Sequence, residues 1–125
     1  MIVFLDPREE RWTLAWVEAE ARRRGTTPEE QLLAIFELFD EWFHRDDFEA
    51  RSLITVLLEM GSADPAGQAS VVGRLATQAA LRDPASFARS WHLLMKGSIV
   101  SAAEGDAHAA QRAQSMARLL IEQHR

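Results

Sequence analysis

Between Thr27 and His44 the chain carries Leu32, Leu33, Ile35, Phe36, Leu38, Phe39, Trp42 and Phe43 at helical spacing. Together they cover far more than the single apolar stripe of a helix that touches one neighbour. Such a helix must be largely buried, so other helices have to surround it, and an all-α bundle is the expected fold. Its start is explicit as well. Thr27 stands where it can cap, Pro28 takes the first helical position, and Glu30 follows at the spacing of a capping box.

The remaining segments supply the surrounding helices. Asp6-Pro7 opens a first one, with Trp12, Ala15, Trp16 and Ala19 on one face, which runs to about Arg24. Arg22, Arg23 and Arg24 suit the negative end of its dipole, and Gly25 stops it. Beyond Arg45-Asp46-Asp47, a third helix carries Leu53, Ile54, Val56, Leu57, Leu58 and Met60 and ends at Gly61. A fourth begins at Ser62-Ala63-Asp64-Pro65 and continues through Val71, Val72, Leu75, Ala76, Ala79 and Leu81. Asp83-Pro84 then caps a long fifth helix. The turn Glu104-Gly105-Asp106 leads into a sixth, with Ala109, Ala110, Ala113, Met116, Ala117, Leu120 and Ile121 as its apolar stripe. No segment shows sustained strand alternation or an internal repeat. With 125 residues, 47% of them hydrophobic, one domain spanning 1–125 with a real core is expected.

Charge and composition narrow the function. The formal charge of -5 argues against an intrinsic nucleic-acid surface, because phosphate contacts need clustered Lys and Arg. The absence of cysteine excludes disulfides and thiolate chemistry and suits the cytoplasm, the expected location. Met1 to Leu5 lacks the basic start of a signal peptide, and no apolar run approaches membrane-spanning length, so no membrane partner is expected.

Catalytic signatures are sparse. Glu41 and His44 have the Glu-x-x-His spacing of di-iron bundles, but the pair occurs once, and His92, His108 and His124 have no Glu three residues earlier. A solvated helix end is the simpler reading of His44, and surface positions are the simpler reading of His108 and His124. There is no nucleophile elbow and no Gly-rich phosphate loop. Neither metal, cofactor nor enzymatic activity is expected.

The segment from Trp91 to Asp106 joins two helices through one tight turn and lines them with Gly97, Ser98, Ser101, Ala102 and Ala103, residues that permit close helix contact. It resembles the last two helices of the ligand-binding domain of TetR-family bacterial transcriptional regulators. The similarity extends through Pro7-Arg8-Glu9-Glu10-Arg11-Trp12, Thr27-Pro28-Glu29-Glu30-Gln31-Leu32 and Phe39-Asp40-Glu41-Trp42-Phe43. It implies a six-helix C-terminal domain whose last two helices pair with a second copy as a four-helix dimer interface. On that basis Gly97, Ser98, Ser101, Ala102, Ala109, Ala113, Met116, Ala117 and Leu120 are the expected interface. The resemblance also implies a cavity for a small hydrophobic effector. Trp12, Trp16, Phe36, Phe39, Phe43, Trp91, His92 and Met95 are the candidate lining, since such pockets are mostly apolar with few polar anchors. Core filling is the competing reading of the aromatics, and a satisfied core histidine that of His92. A family member carries an N-terminal helix-turn-helix, whereas only Met1 to Leu5 precedes the first expected helix. DNA contact is thus expected only through a reader missing from this chain. A ligand-free helical scaffold that forms homo- or heterodimers is the alternative.

Overall fold

The computed structural model describes residues 14–46, 48–51, 54 and 71–125. Its regular elements are five helices, and no strand occurs among the described residues. They are α1 (Leu14–Arg24), α2 (Pro28–Phe43), α3 (Val71–Gln78), α4 (Pro84–Ala103) and α5 (Ala109–Gln123). The chain is all-α, as its periodicity predicts. Trp12 and the expected start of the first helix lie outside the described residues, as do Leu53, Val56, Leu57, Leu58, Met60 and Gly61 of the expected third helix and the Ser62-Ala63-Asp64-Pro65 start of the expected fourth. Ala50, Arg51 and Ile54 are helical.

The wide apolar surface of α2 has the expected consequence, for α2 packs against α1, α3, α4 and α5. Leu32, Ile35, Phe36, Leu38, Phe39 and Trp42 are all at most 1% exposed. Its N-terminus forms the capping box. Thr27 Oγ1 accepts the Glu30 N–H at 3.2 Å, and the Glu30 carboxylate accepts the Thr27 N–H at 3.3 Å. The turn from α1 into α2 works by proximity, since a Cβ on Gly25 would lie 2.6 Å from the Gln31 nitrogen. Any larger residue there would drive into backbone.

Ion pairs fix α1 on its neighbours. Arg24 binds Glu41 of α2 while also pairing with Glu20, and Arg74 of α3 reaches Glu18 at 2.8 Å. The Glu20 carboxyl is pulled down to about 2, first by its hydrogen bond from Arg23.

Two turns position α4 and α5. Asp83 adopts the left-handed conformation (φ 47°) and accepts the Ser86 N–H at 3.2 Å, capping α4 ahead of Pro84. Gly105, at φ +104°, makes the left-handed stop between α4 and α5. Asp106 stands two residues ahead of the N-cap His108. Its carboxylate accepts the His108 N–H at 2.9 Å and pairs with Arg112 at 3.2 Å. The far end of the hairpin is tied down too, because Arg82 donates its N–H to the His124 carbonyl and its guanidinium to the Gln123 carbonyl.

Candidate functional site

The helices bring most of the candidate aromatics into one cluster. Trp91 of α4 meets Phe36 of α2 with ring centroids 5.3 Å apart and Phe87 at 5.2 Å, and Phe36 meets Phe39 edge-on at 6.1 Å. Phe36, Phe39, Trp91 and Met95 are fully buried, and Trp16 and Phe43 are half-buried against the same core. Phe43 extends the cluster to Phe48, whose ring centroid is 5.2 Å away. These contacts place the aromatics against one another as core.

Two polar atoms in this region have no hydrogen-bond partner among the described residues. They are the indole N–H of Trp91, which is wholly buried, and Nε2 of His92, whose residue is 8% exposed. A buried polar group left unpaired costs about 1–3 kcal/mol, so two on consecutive residues are a local weakness that a polar ligand group or an ordered water would relieve. Burial, reinforced by the nearby Lys96 cation, pushes the His92 imidazole down to about 4. At neutral pH it is therefore uncharged, with one ring nitrogen able to accept.

Glu41 and His44 do not converge. Glu41 turns to Arg24, whereas His44 Nδ1 lies 2.7 Å from its own helix's Asp40 carbonyl. No three His, Asp or Glu side chains come together as a metal-binding group among the described residues. A shallow cleft of about 290 Å³, bordered by Arg24, Phe36, Glu37, Asp40, Glu41 and Gln114, has Arg24 paired with Glu41 at its edge.

The outer side of the α4–α5 hairpin is different in kind. Leu93 is 70% exposed, Leu119 66%, Met116 57% and Val100 51%, so four large apolar side chains face outward on two adjacent helices. Between them runs a groove floored by Leu94, Gly97, Ser98, Ser101, Ala109 and Ala113. It continues past Leu93 and Met116 toward Ser90, Leu120 and Gln123. The small residues divide into two groups. Ser98, Ala109, Ala113 and Ala117 are buried within the single chain, where they let α4 and α5 approach, and Ser98 Oγ donates to the Met95 carbonyl at 2.7 Å. Ser101, Ala102 and Leu120 are half-buried, and Gly97 is exposed.

Gly97 lies in the middle of α4, where glycine is about 1 kcal/mol worse than alanine. A Cβ placed on it would meet nothing within 4 Å. Leu93, Val100 and Leu119 were not among the expected interface residues. Their signal in the sequence was position, since each is an apolar residue lying off the stripe that fills the core.

No family model, no curated protein and no solved structure matches the chain.

Proposed function

We propose that this chain is the effector-sensing and dimerisation domain of a TetR-type transcriptional repressor, with α4 and α5 as the pairing hairpin. In this reading the expected third helix completes a six-helix domain, and DNA contact belongs to a helix-turn-helix outside this chain. The outward apolar row of Leu93, Val100, Met116 and Leu119 carries the reading, because a protein that keeps such a row on two neighbouring helices gains by covering it. Sensing has a narrower support, the unpartnered polar atoms of Trp91 and His92 beside an aromatic core. An effector that prefers one arrangement of the helices shifts the population of that arrangement, and α1, ion-paired to α2 and α3, would relay the change to a reader preceding it.

The pairing half is tested by sedimentation. The chain is expected to be a dimer at micromolar concentration, and Met116→Glu, on an exposed position, to weaken that dimer at least tenfold while leaving the helical circular dichroism unchanged. A wild-type chain that stays monomeric at 100-fold higher concentration would falsify the pairing.

A ligand-free pairing protein is the second reading, favoured by the mutual packing of Phe36, Phe39, Phe87 and Trp91. Thermal shift against a panel of apolar compounds, each with one hydroxyl or carbonyl group, separates the two. A ligand that binds only the native state raises the unfolding midpoint by mass action. For a sensing domain at least one compound is expected to raise it by several degrees in the wild type and not in His92→Leu. A flat response across the panel leaves the ligand-free reading.

A further inference from the structure

Independently of pairing and of any effector, we infer that α1 is a hinged strap, pivoting beside Gly25 and held down on α3 by a releasable latch between Glu18 and Arg74. Among the described helices α1 packs closely on α2 alone, whereas each of the other four packs on more than one neighbour. Its described apolar anchors are also few. Val17 and Ala21 are buried and Trp16 is half-buried, while Ala19 is exposed. An element with few buried apolar contacts is the one that opens below the free energy of global unfolding.

The C-terminal end of α1 is the fixed end. The Gln31 side-chain amide of α2 donates to the Gly25 carbonyl at 3.1 Å and to the Arg22 carbonyl at 3.4 Å, giving partners to carbonyls that a helix end leaves without one. The Glu30 carboxylate accepts the Thr26 N–H at 2.7 Å, and Arg24 grips both carboxylate oxygens of Glu41. Gly25 itself is buried where a Cβ would strike the backbone of Glu30 and Gln31. These contacts form a pivot.

Away from the pivot the tie is of another kind. Glu18 Oε1 accepts from the Arg74 guanidinium at 2.8 Å, and the same oxygen accepts from Arg22 of α1 itself at 3.2 Å. Giving up Arg74 therefore leaves the carboxylate paired within its own helix. The Arg74 side chain is 40% exposed, so its guanidinium is hydrated on release. What makes a broken ion pair expensive is a charge left buried and alone, and here neither charge is. Arg74 in turn moves with the bundle, because Val71, Val72, Leu75 and Ala76 of its helix are buried and α3 packs on both α2 and α4. The strap thus has a docked and a swung position, and ionic strength sets the balance between them.

Hydrogen exchange on the full chain, read by mass spectrometry, measures the release. The amides of Glu18 to Arg24 are expected to exchange at least about tenfold faster than those of Leu32 to Trp42. Raising sodium chloride from about 0.1 to about 1 M shortens the screening length from about 10 to about 3 Å, and is expected to speed α1 a further two- to fivefold or so relative to α2. Arg74→Gln is expected to show that acceleration already at low salt and to lose the salt response, with α2 unchanged. Arg74→Lys, which keeps the cation, is expected to retain part of the response. Glu18→Gln repeats the test from the other side if the glutamine variant at 74 loosens α3. Equal exchange of α1 and α2 at both salt concentrations overturns the strap, since α1 then opens only with the whole fold. Local opening of α1 at the wild-type rate in both Arg74→Gln and Glu18→Gln overturns the latch.

Discussion

Truncating Trp91 to alanine is expected to lower the unfolding free energy by about 4 kcal/mol, the range for deleting a large aromatic from a packed core. The indole is wholly buried and contacts rings from two directions, Phe36 on α2 and Phe87 one turn earlier on α4. Its removal opens a space that α2 and α4 cannot both close, because α2 is also held by α1, α3 and α5. Trp91→Phe separates packing from hydrogen bonding. It keeps an aromatic ring against Phe36 and Phe87 but removes an N–H that has no acceptor among the described residues. The gain from deleting that unpaired donor offsets much of the lost area, so this variant is expected to lie within about 1.5 kcal/mol of the wild type. Urea unfolding followed by far-ultraviolet circular dichroism measures both. A phenylalanine variant that loses as much stability as the alanine variant would mean that the N–H is paired in solution.

How far the sequence carries depends on whether a feature is local. The α2 capping box needs only Thr27, Pro28 and Glu30 and was readable from their spacing. The burial of α2 was readable because its apolar residues left almost no polar face. Gly105 as a helix stop was likewise local. The division of labour within the hairpin was not. Small residues at helical spacing are equally suited to contacts inside a chain and between chains, and periodicity carries no information about which neighbour they meet. Ser98, Ala113 and Ala117 turn inward to let α4 and α5 touch, whereas Leu93, Val100 and Leu119, large enough to be read as core, point outward. The register of α5 on α4 decides this, and that register follows from Gly105, Asp106 and the Arg82 contacts at the far end.

The candidate lining shows the same limit. Trp16, Phe36, Phe39, Phe43 and Trp91 lie in one aromatic region, as helical spacing on α1, α2 and α4 allows. The 5.3 Å between the Phe36 and Trp91 rings, however, comes from how closely α2 and α4 approach, which no single helix records. The ion pair between Glu18 and Arg74 spans 56 positions and had no counterpart in the sequence pattern. It matters for the proposed relay because it is one of the side-chain ties of α1 to the rest of the bundle.

Acidification is expected to destabilise the fold through His92 over a definite window. In the unfolded chain the imidazole takes a proton near 6.5, while in the folded chain burial, and then Lys96, hold it off until about 4. Between those values the unfolded state binds more protons than the native state, so stability falls as pH falls. The contribution is fully present above about pH 7.5 and lost by about pH 4. The full gap corresponds to about 3 kcal/mol, and the slight exposure of the residue makes about 2 kcal/mol the conservative expectation. Carboxylates paired with arginine, Glu18 and Glu20 among them, also lose stability on acidification, from the ordinary carboxylate value downward, for Glu20 to about 2. His92→Leu isolates the imidazole. It removes the titrating group and the unpaired Nε2 together, so its unfolding free energy is expected to be nearly flat between about pH 6.5 and 5, where the wild type declines. The two curves are expected to separate further as the pH drops. Parallel curves over that interval would show that His92 is hydrated or paired in solution, and the polar anchor proposed for an effector would go with it. A crossing or widening gap, measured by urea unfolding at half-unit pH steps, keeps a neutral, buried acceptor in place at physiological pH, the state in which it can hold a ligand's hydroxyl.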